Sequence, residues 1–211
     1  SPSGNVHGMP LAACLGRGPE VLTGGGASVL PENVALIGIR NLDHREKKIV
    51  RSSGVHAYTM SDLDRRGMGS IMEEILAATS GRIHLSLDLD GIDPVVAPGV
   101  GTPVRGGLSY REAHLLCEMV SESKRLLSLD VVELNPILDV RNSSAEIATS
   151  GSPRSPCLSR KASVTPSTRY QGPTSSIRSI ACSSKAESQA LHVPPRSASA
   201  AWDAQMRSPP S

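Results

Sequence analysis

The sequence predicts an α/β fold built on a parallel sheet, and three observations carry that expectation. Short apolar runs alternate with helix-period segments along the chain. Several of those runs are continuously apolar, as strands covered on both faces are. Two helical segments open on a capping-box signature.

The elements follow in order. Val34–Ile39 is an unbroken apolar run and suits a buried strand. Residues 43–53 are charged and read as a helix ending near Gly54, and residues 55–58 read as a short strand. A helix opens at Ser61 with a Ser61…Asp64 pair, and Ile71, Ile75 and Leu76 supply its apolar stripe. Residues 83–89 are the clearest strand. Ser109 and Glu112 open a second helix running to about Lys124, with Leu115, Leu116 and Met119 on one side. Residues 126–134 form the last apolar strand.

Composition sets limits on function. The 211 residues hold 22 Lys and Arg against 20 Asp and Glu, a net charge of +2, which excludes a polybasic nucleic-acid binder. No run approaches the length of a membrane-spanning helix, so no membrane partner is expected. With three Tyr, one Trp and no Phe, the core must be aliphatic. Four cysteines, Cys14, Cys117, Cys157 and Cys182, show no paired spacing, which argues against a zinc ribbon or a disulfide framework. No signal peptide is visible, so a cytoplasmic location is expected. The chain opens on Ser1-Pro2-Ser3 without Met, which points to residues upstream, an appearance that processing would also give.

The two ends differ. Residues 143–211 contain 18 Ser and 8 Pro but only 8 Val, Ile, Leu or Met. So few large apolar groups cannot offset the entropy of ordering the backbone. The working domain is expected over residues 1–148, followed by a disordered Ser/Pro/Arg-rich tail over 149–211.

In such folds the chemistry lies beyond the carboxyl ends of the strands. There the sequence reads His84-Leu-Ser-Leu-Asp88-Leu-Asp90-Gly-Ile-Asp93-Pro94. Residues two apart on a strand point the same way, so Asp88 and Asp90 are expected to project together. Paired carboxylates suit a hard divalent cation, or are a surface pair. Asp93-Pro94 reads as a turn. Glu133 ends an otherwise apolar strand, either solvated or paired with a cation or donor-rich ligand. Residues 3–10, SGNVHGMP, set polar side chains between glycines that allow close approach to a ligand.

Taken together, SGNVHGMP, LDHRE, HLSLDLDGIDP, GTPVRGGLSYRE and SLDVVELNP resemble the ureohydrolase superfamily and, within it, the arginases. The resemblance covers about residues 1–148 and implies a three-layer arginase-like fold, incomplete at the N-terminus. It implies manganese-dependent hydrolysis of L-arginine to L-ornithine and urea at a binuclear centre whose bridging hydroxide attacks the guanidinium carbon. By the same resemblance Asp88 and Asp90 are metal ligands, Glu133 pairs the guanidinium and Thr102 contacts the substrate region. His7 is the proton shuttle. Ser3, Gly4 and Asn5 read the α-carboxylate, and Asp43 and Glu46 read the α-ammonium, which favours arginine over agmatine. Family members form trimers or hexamers, an assembly that the altered C-terminus sets apart from this chain.

The family's metal centre also draws on a GGDHS-type His and a DAHxD element, and this sequence contains neither. The chain by itself is therefore expected to bind manganese weakly, to lack arginase activity and to expose an unpaired strand edge. The alternative is a non-catalytic arginase-derived module that binds a guanidino ligand or a partner. A DxD-dependent transferase would leave His7 and Glu133 unexplained. After Ala148 a family helix gives way to Thr149-Ser-Gly-Ser-Pro-Arg-Ser-Pro156, and prolines cannot continue it. A reading frame shifted near Ala148 accounts for the change, ahead of a tail kept for phosphorylation or partner binding.

Overall fold

The computed structural model describes residues 9–25, 29–42, 44–150 and 177–182, with only the backbone described for the last segment and for Arg45 and Glu46. The parallel sheet expected from the sequence is present. Its strands are β1 (Val34–Ile39), β2 (His56–Thr59), β3 (Arg82–Asp88), β4 (Leu126–Val132) and β5 (Ile177–Cys182), in the spatial order β2-β1-β5-β3-β4. Every pairing in it is parallel.

All six residues of β1 are buried, as its unbroken apolar sequence requires. Ala35 and Ile37 face one core, which β3 shares through Ile83, Leu85 and Leu87. Leu36 and Ile39 face a second, smaller core. The pairing with β2 shifts register between Ile37 and Ile39, where Gly38 takes φ +84°. That bulge turns Ile39 to the side of Leu36.

Helices cover both faces of β1. Helix α3 (His44–Ser53) closes the smaller core through Val50. Helices α4 (Met60–Arg66), α5 (Met68–Ala78) and α6 (Tyr110–Glu122) close the larger one. The short helices α1 (Pro10–Cys14) and α2 (Glu20–Thr23) precede β1, and α7 (Ser143–Ser150) follows β4.

Helix starts separate what the sequence pattern left ambiguous. Ser109 caps α6 as expected: its Oγ accepts from Glu112 N at 3.2 Å, and Glu112 Oε2 accepts from Ser109 N at 2.8 Å. The expected Ser61…Asp64 box is displaced by two residues. Thr59 is the cap, its Oγ1 accepting from Asp62 N at 3.2 Å while Asp62 Oδ2 accepts from Thr59 N at 2.8 Å. The sequence repeats the same spacing at both places, and β2 runs straight into its helix, so the earlier pair falls at the boundary. The single helix expected from residue 61 is broken at Gly67, which takes φ +79°.

The strands beyond β5 are less covered. β3 alternates buried and half-buried residues, and β4 alternates half-buried and exposed ones. The half-buried side carries His84, whose Nδ1 lies 2.8 Å from Ser128 Oγ and whose Nε2 lies 3.5 Å from Asp130. Among the described residues β4 has one strand neighbour, so its outer edge is the bare edge of the sheet on that side. Two parts of the tail depart from the expectation of disorder: Thr149 and Ser150 finish α7, and Ile177–Cys182 is the central strand. Residues 151–176 and 183–211 lie outside the described residues. No helix among the described residues is long and apolar enough to cross a membrane.

Candidate metal and substrate site

The chain steps outward from β1 to β2 and, in the opposite sense, from β3 to β4. The connections therefore reverse direction at β5, and the crevice above that point is where open parallel sheets place their ligands. Three loops rise there, after β1, β3 and β4.

Asp88 is the last residue of β3, but Asp90 is not on the strand. The chain turns into a 3-10 helix at Leu89–Gly91, which replaces the simple alternation expected for the pair. The turn buries Asp90 to 5% exposure. Its Oδ2 accepts from Thr102 Oγ1 at 2.8 Å, and its Oδ1 is buried with no hydrogen-bond partner. A buried carboxylate oxygen left without a donor is costly unless a cation or donor meets it. Two carboxylates suit one flank of a hard cation and do not complete its shell. Among the described residues no group of three or more His, Cys, Asp or Glu is arranged to hold a metal. β5 ends at Cys182, level with Leu87, and brings no carboxylate or imidazole to the crevice.

Arg40, immediately after β1, holds this turn in place, a role the sequence reading missed. Its guanidinium donates to the carbonyls of Asp90 (2.7 Å), Gly91 (3.1 Å), Val104 (2.7 and 3.2 Å) and Gly38 (3.3 Å). A cation directly following a fully buried strand was the available signal, because such a charge must find acceptors close by.

Asp93 forms the expected turn and does more. Its Oδ1 accepts from Val95 N at 2.9 Å, and its Oδ2 accepts from Gly106 N and Gly107 N at 2.7 and 3.2 Å. The hydrogen bond from Val95, with those from Gly106 and Gly107, holds this carboxyl below the usual carboxylate range. Such a group stabilises the fold above its unfolded pKa of about 3.9, and the contribution is lost as pH falls through the lower folded value. Acid unfolding followed by circular dichroism is expected to begin below about pH 4 and to lose part of its pH dependence in Asp93→Asn.

Glu133 follows β4 in the left-handed region, at φ +66°, and is exposed. A non-glycine residue is held there at a cost of about 1–3 kcal/mol, a departure that concentrates at functional sites. The loop carrying it is tied to the β3 loop by the Val100↔Leu134 bridge and by Asn135 N donating to Gly99 O at 2.8 Å. Asp90, Thr102 and Glu133 are thereby carried by two connected loops. Thr102, matched to a substrate contact, spends its hydroxyl on Asp90. Ser3, Gly4, Asn5, His7 and Asp43 lie outside the described residues, as does the side chain of Glu46.

A parallel α/β sheet with a buried carboxylate, Asp90, in the crevice at its switch point defines the class: an α/β protein with its candidate ligand site at the carboxyl ends of the strands. The comparisons make it particular. The profile of the Arginase family matches residues 1–151, and the chain belongs to that family. Arginase from Bacillus caldovelox is 55% identical over 154 residues, which is 70% of this chain and 52% of that protein. The solved native structure of that arginase at pH 5.6 overlays with a TM-score of 0.70 at 53% identity, covering 76% of this chain and 55% of that one. The structure of Entamoeba histolytica arginase in complex with L-ornithine gives a TM-score of 0.66 at 36% identity, over 70% of this chain and 52% of that one. The chain thus spans about half the length of the curated relatives it matches.

Proposed function

We propose that this chain carries one side of an arginase-type site for hydrolysis of L-arginine to L-ornithine and urea. The reading rests chiefly on the buried, donorless Oδ1 of Asp90 at the switch point of an arginase-family sheet. Asp88 and Asp90 would hold manganese from this side. A bound pair of such ions supplies a hydrolytic nucleophile at neutral pH.

The chain's own residues do the rest. Thr102 fixes Oδ2 of Asp90 and so presents Oδ1 to the crevice. Glu133 orients the guanidinium by charge-assisted hydrogen bonds. His7 delivers a proton to the leaving amine. Ser3, Gly4 and Asn5 take the α-carboxylate, and Asp43 and Glu46 the α-ammonium, which selects arginine over its decarboxylated analogue. A cytoplasmic location is the setting this reading implies.

The test is complementation. The full 211-residue chain and the half of Bacillus caldovelox arginase that it does not match are co-expressed and assayed with L-arginine and manganese. Urea release that disappears in Asp90→Asn is the expected result, and urea release indifferent to Asp90→Asn contradicts the reading. A second reading, a non-catalytic guanidino-binding module, is favoured by the lack, among the described residues, of any group of three or more His, Cys, Asp or Glu arranged to hold a metal. Manganese-independent binding of L-arginine, lost in Glu133→Gln and without urea release, would establish it.

A further inference from the structure

β1 and β3 do not pair with each other. The space between them is one strand wide, about 10 Å from strand to strand. It is filled by β5, which pairs with β1 from Val34↔Ser179 to Ile37↔Cys182 and with β3 from Arg82↔Ile177 to Leu87↔Cys182. The family match ends at residue 151, so the strand at the centre of the sheet comes from outside the family domain. Arginase from Bacillus caldovelox is itself matched over only 52% of its length.

We infer that the space between β1 and β3 is a strand-acceptor slot, filled in cis by Ile177–Cys182. The slot makes specific demands. Both walls are parallel strands offering backbone donors and acceptors, and β1 is buried throughout, so an empty slot would leave polar groups unpaired in an apolar setting. An occupant must run parallel to both walls, carry no proline and suit an extended backbone. Ile-Arg-Ser-Ile-Ala-Cys meets these conditions within a tail otherwise dense in Ser and Pro. The 26 residues from 151 to 176 can span on the order of 85 Å when extended, ample for a return to the sheet from the same copy. The recognition is that of strand addition, with main-chain hydrogen bonds giving the affinity. Here it acts on two walls at once.

The test uses the full chain with a protease site inserted between Ser163 and Val164. After cleavage, the carboxyl-terminal piece is expected to co-elute with the body at the mass of one copy. The amides of Val34–Ile39 and Arg82–Asp88 should remain protected from exchange. Ile180→Pro removes a ladder donor and is expected to speed exchange in both strands by about tenfold or more. A synthetic peptide of residues 175–184 added in trans should restore the protection. Release of the cleaved piece with both strands still protected would overturn the slot, as would unchanged protection in Ile180→Pro. Elution of the uncut chain as a dimer that exchanges tails between labelled copies would overturn the cis assignment.

Discussion

Arg40→Ala is expected to destabilise the fold by about 3–5 kcal/mol, read as a lower urea midpoint at an unchanged denaturant slope. The guanidinium makes five hydrogen bonds to four carbonyls on three separate segments: the end of β1, the turn after β3 and the loop through Val104. Removing it takes the guanidinium donors from the Asp90 and Val104 carbonyls, while Gly91 O keeps the one from Leu108 N, and each buried acceptor left unsatisfied costs about 1–3 kcal/mol. Arg40→Lys is expected to recover only a minor part. A single ammonium cannot reproduce a planar fork that reaches Asp90, Gly91 and Val104 together. A loss below about 1 kcal/mol in Arg40→Ala would mean that the turn holds itself and Arg40 is incidental.

Gly99→Ala is expected to cost about 2–4 kcal/mol and to separate the two loops of the site. A Cβ at this position would lie 2.4 Å from Asp139 Cβ, 2.7 Å from Asp139 Cγ and 2.8 Å from Asp139 Cα. Asp139 cannot simply move aside. Its carboxylate accepts from Ser144 N and Ala145 N at 2.9 and 3.0 Å, at the start of α7. Ser144 in turn accepts from Gly99 N at 2.7 Å. The strain is therefore shared between the loop bearing Thr102, the loop bearing Glu133 and the helix that closes the domain. The expected readouts are a lower unfolding midpoint and faster amide exchange at Asn135, which donates to Gly99. A variant as stable as the parent would show that the two loops are independent.

Much of the fold was legible because its signals are local. An unbroken apolar hexamer gave β1, and the spacing of Ser109 and Glu112 gave the start of α6. The misplaced cap at Ser61 shows the limit of such signals: Thr59…Asp62 and Ser61…Asp64 satisfy the same spacing, and only the end of β2 decides between them. Asp88 and Asp90 were found as a pair, but their geometry was not, because period-two reasoning holds only while the strand continues. Arg40 and Glu133 differ in the same way. Glu133 was visible as a charge ending an apolar strand, whereas three of the four carbonyl partners of Arg40 lie 50 to 64 residues away and leave no local pattern. β5 was hidden by averaging, since six strand-competent residues vanish in a tail judged by its Ser and Pro content.

The central claim is that Asp88 and Asp90 form one side of a cation site, and manganese binding tests it most directly. Titration of manganese(II) into the full chain, followed by the electron paramagnetic resonance of the free ion, is expected to show one weak site that Asp90→Asn removes. Binding unchanged in Asp90→Asn would contradict the account, because the buried carboxylate would then have no part in holding the metal.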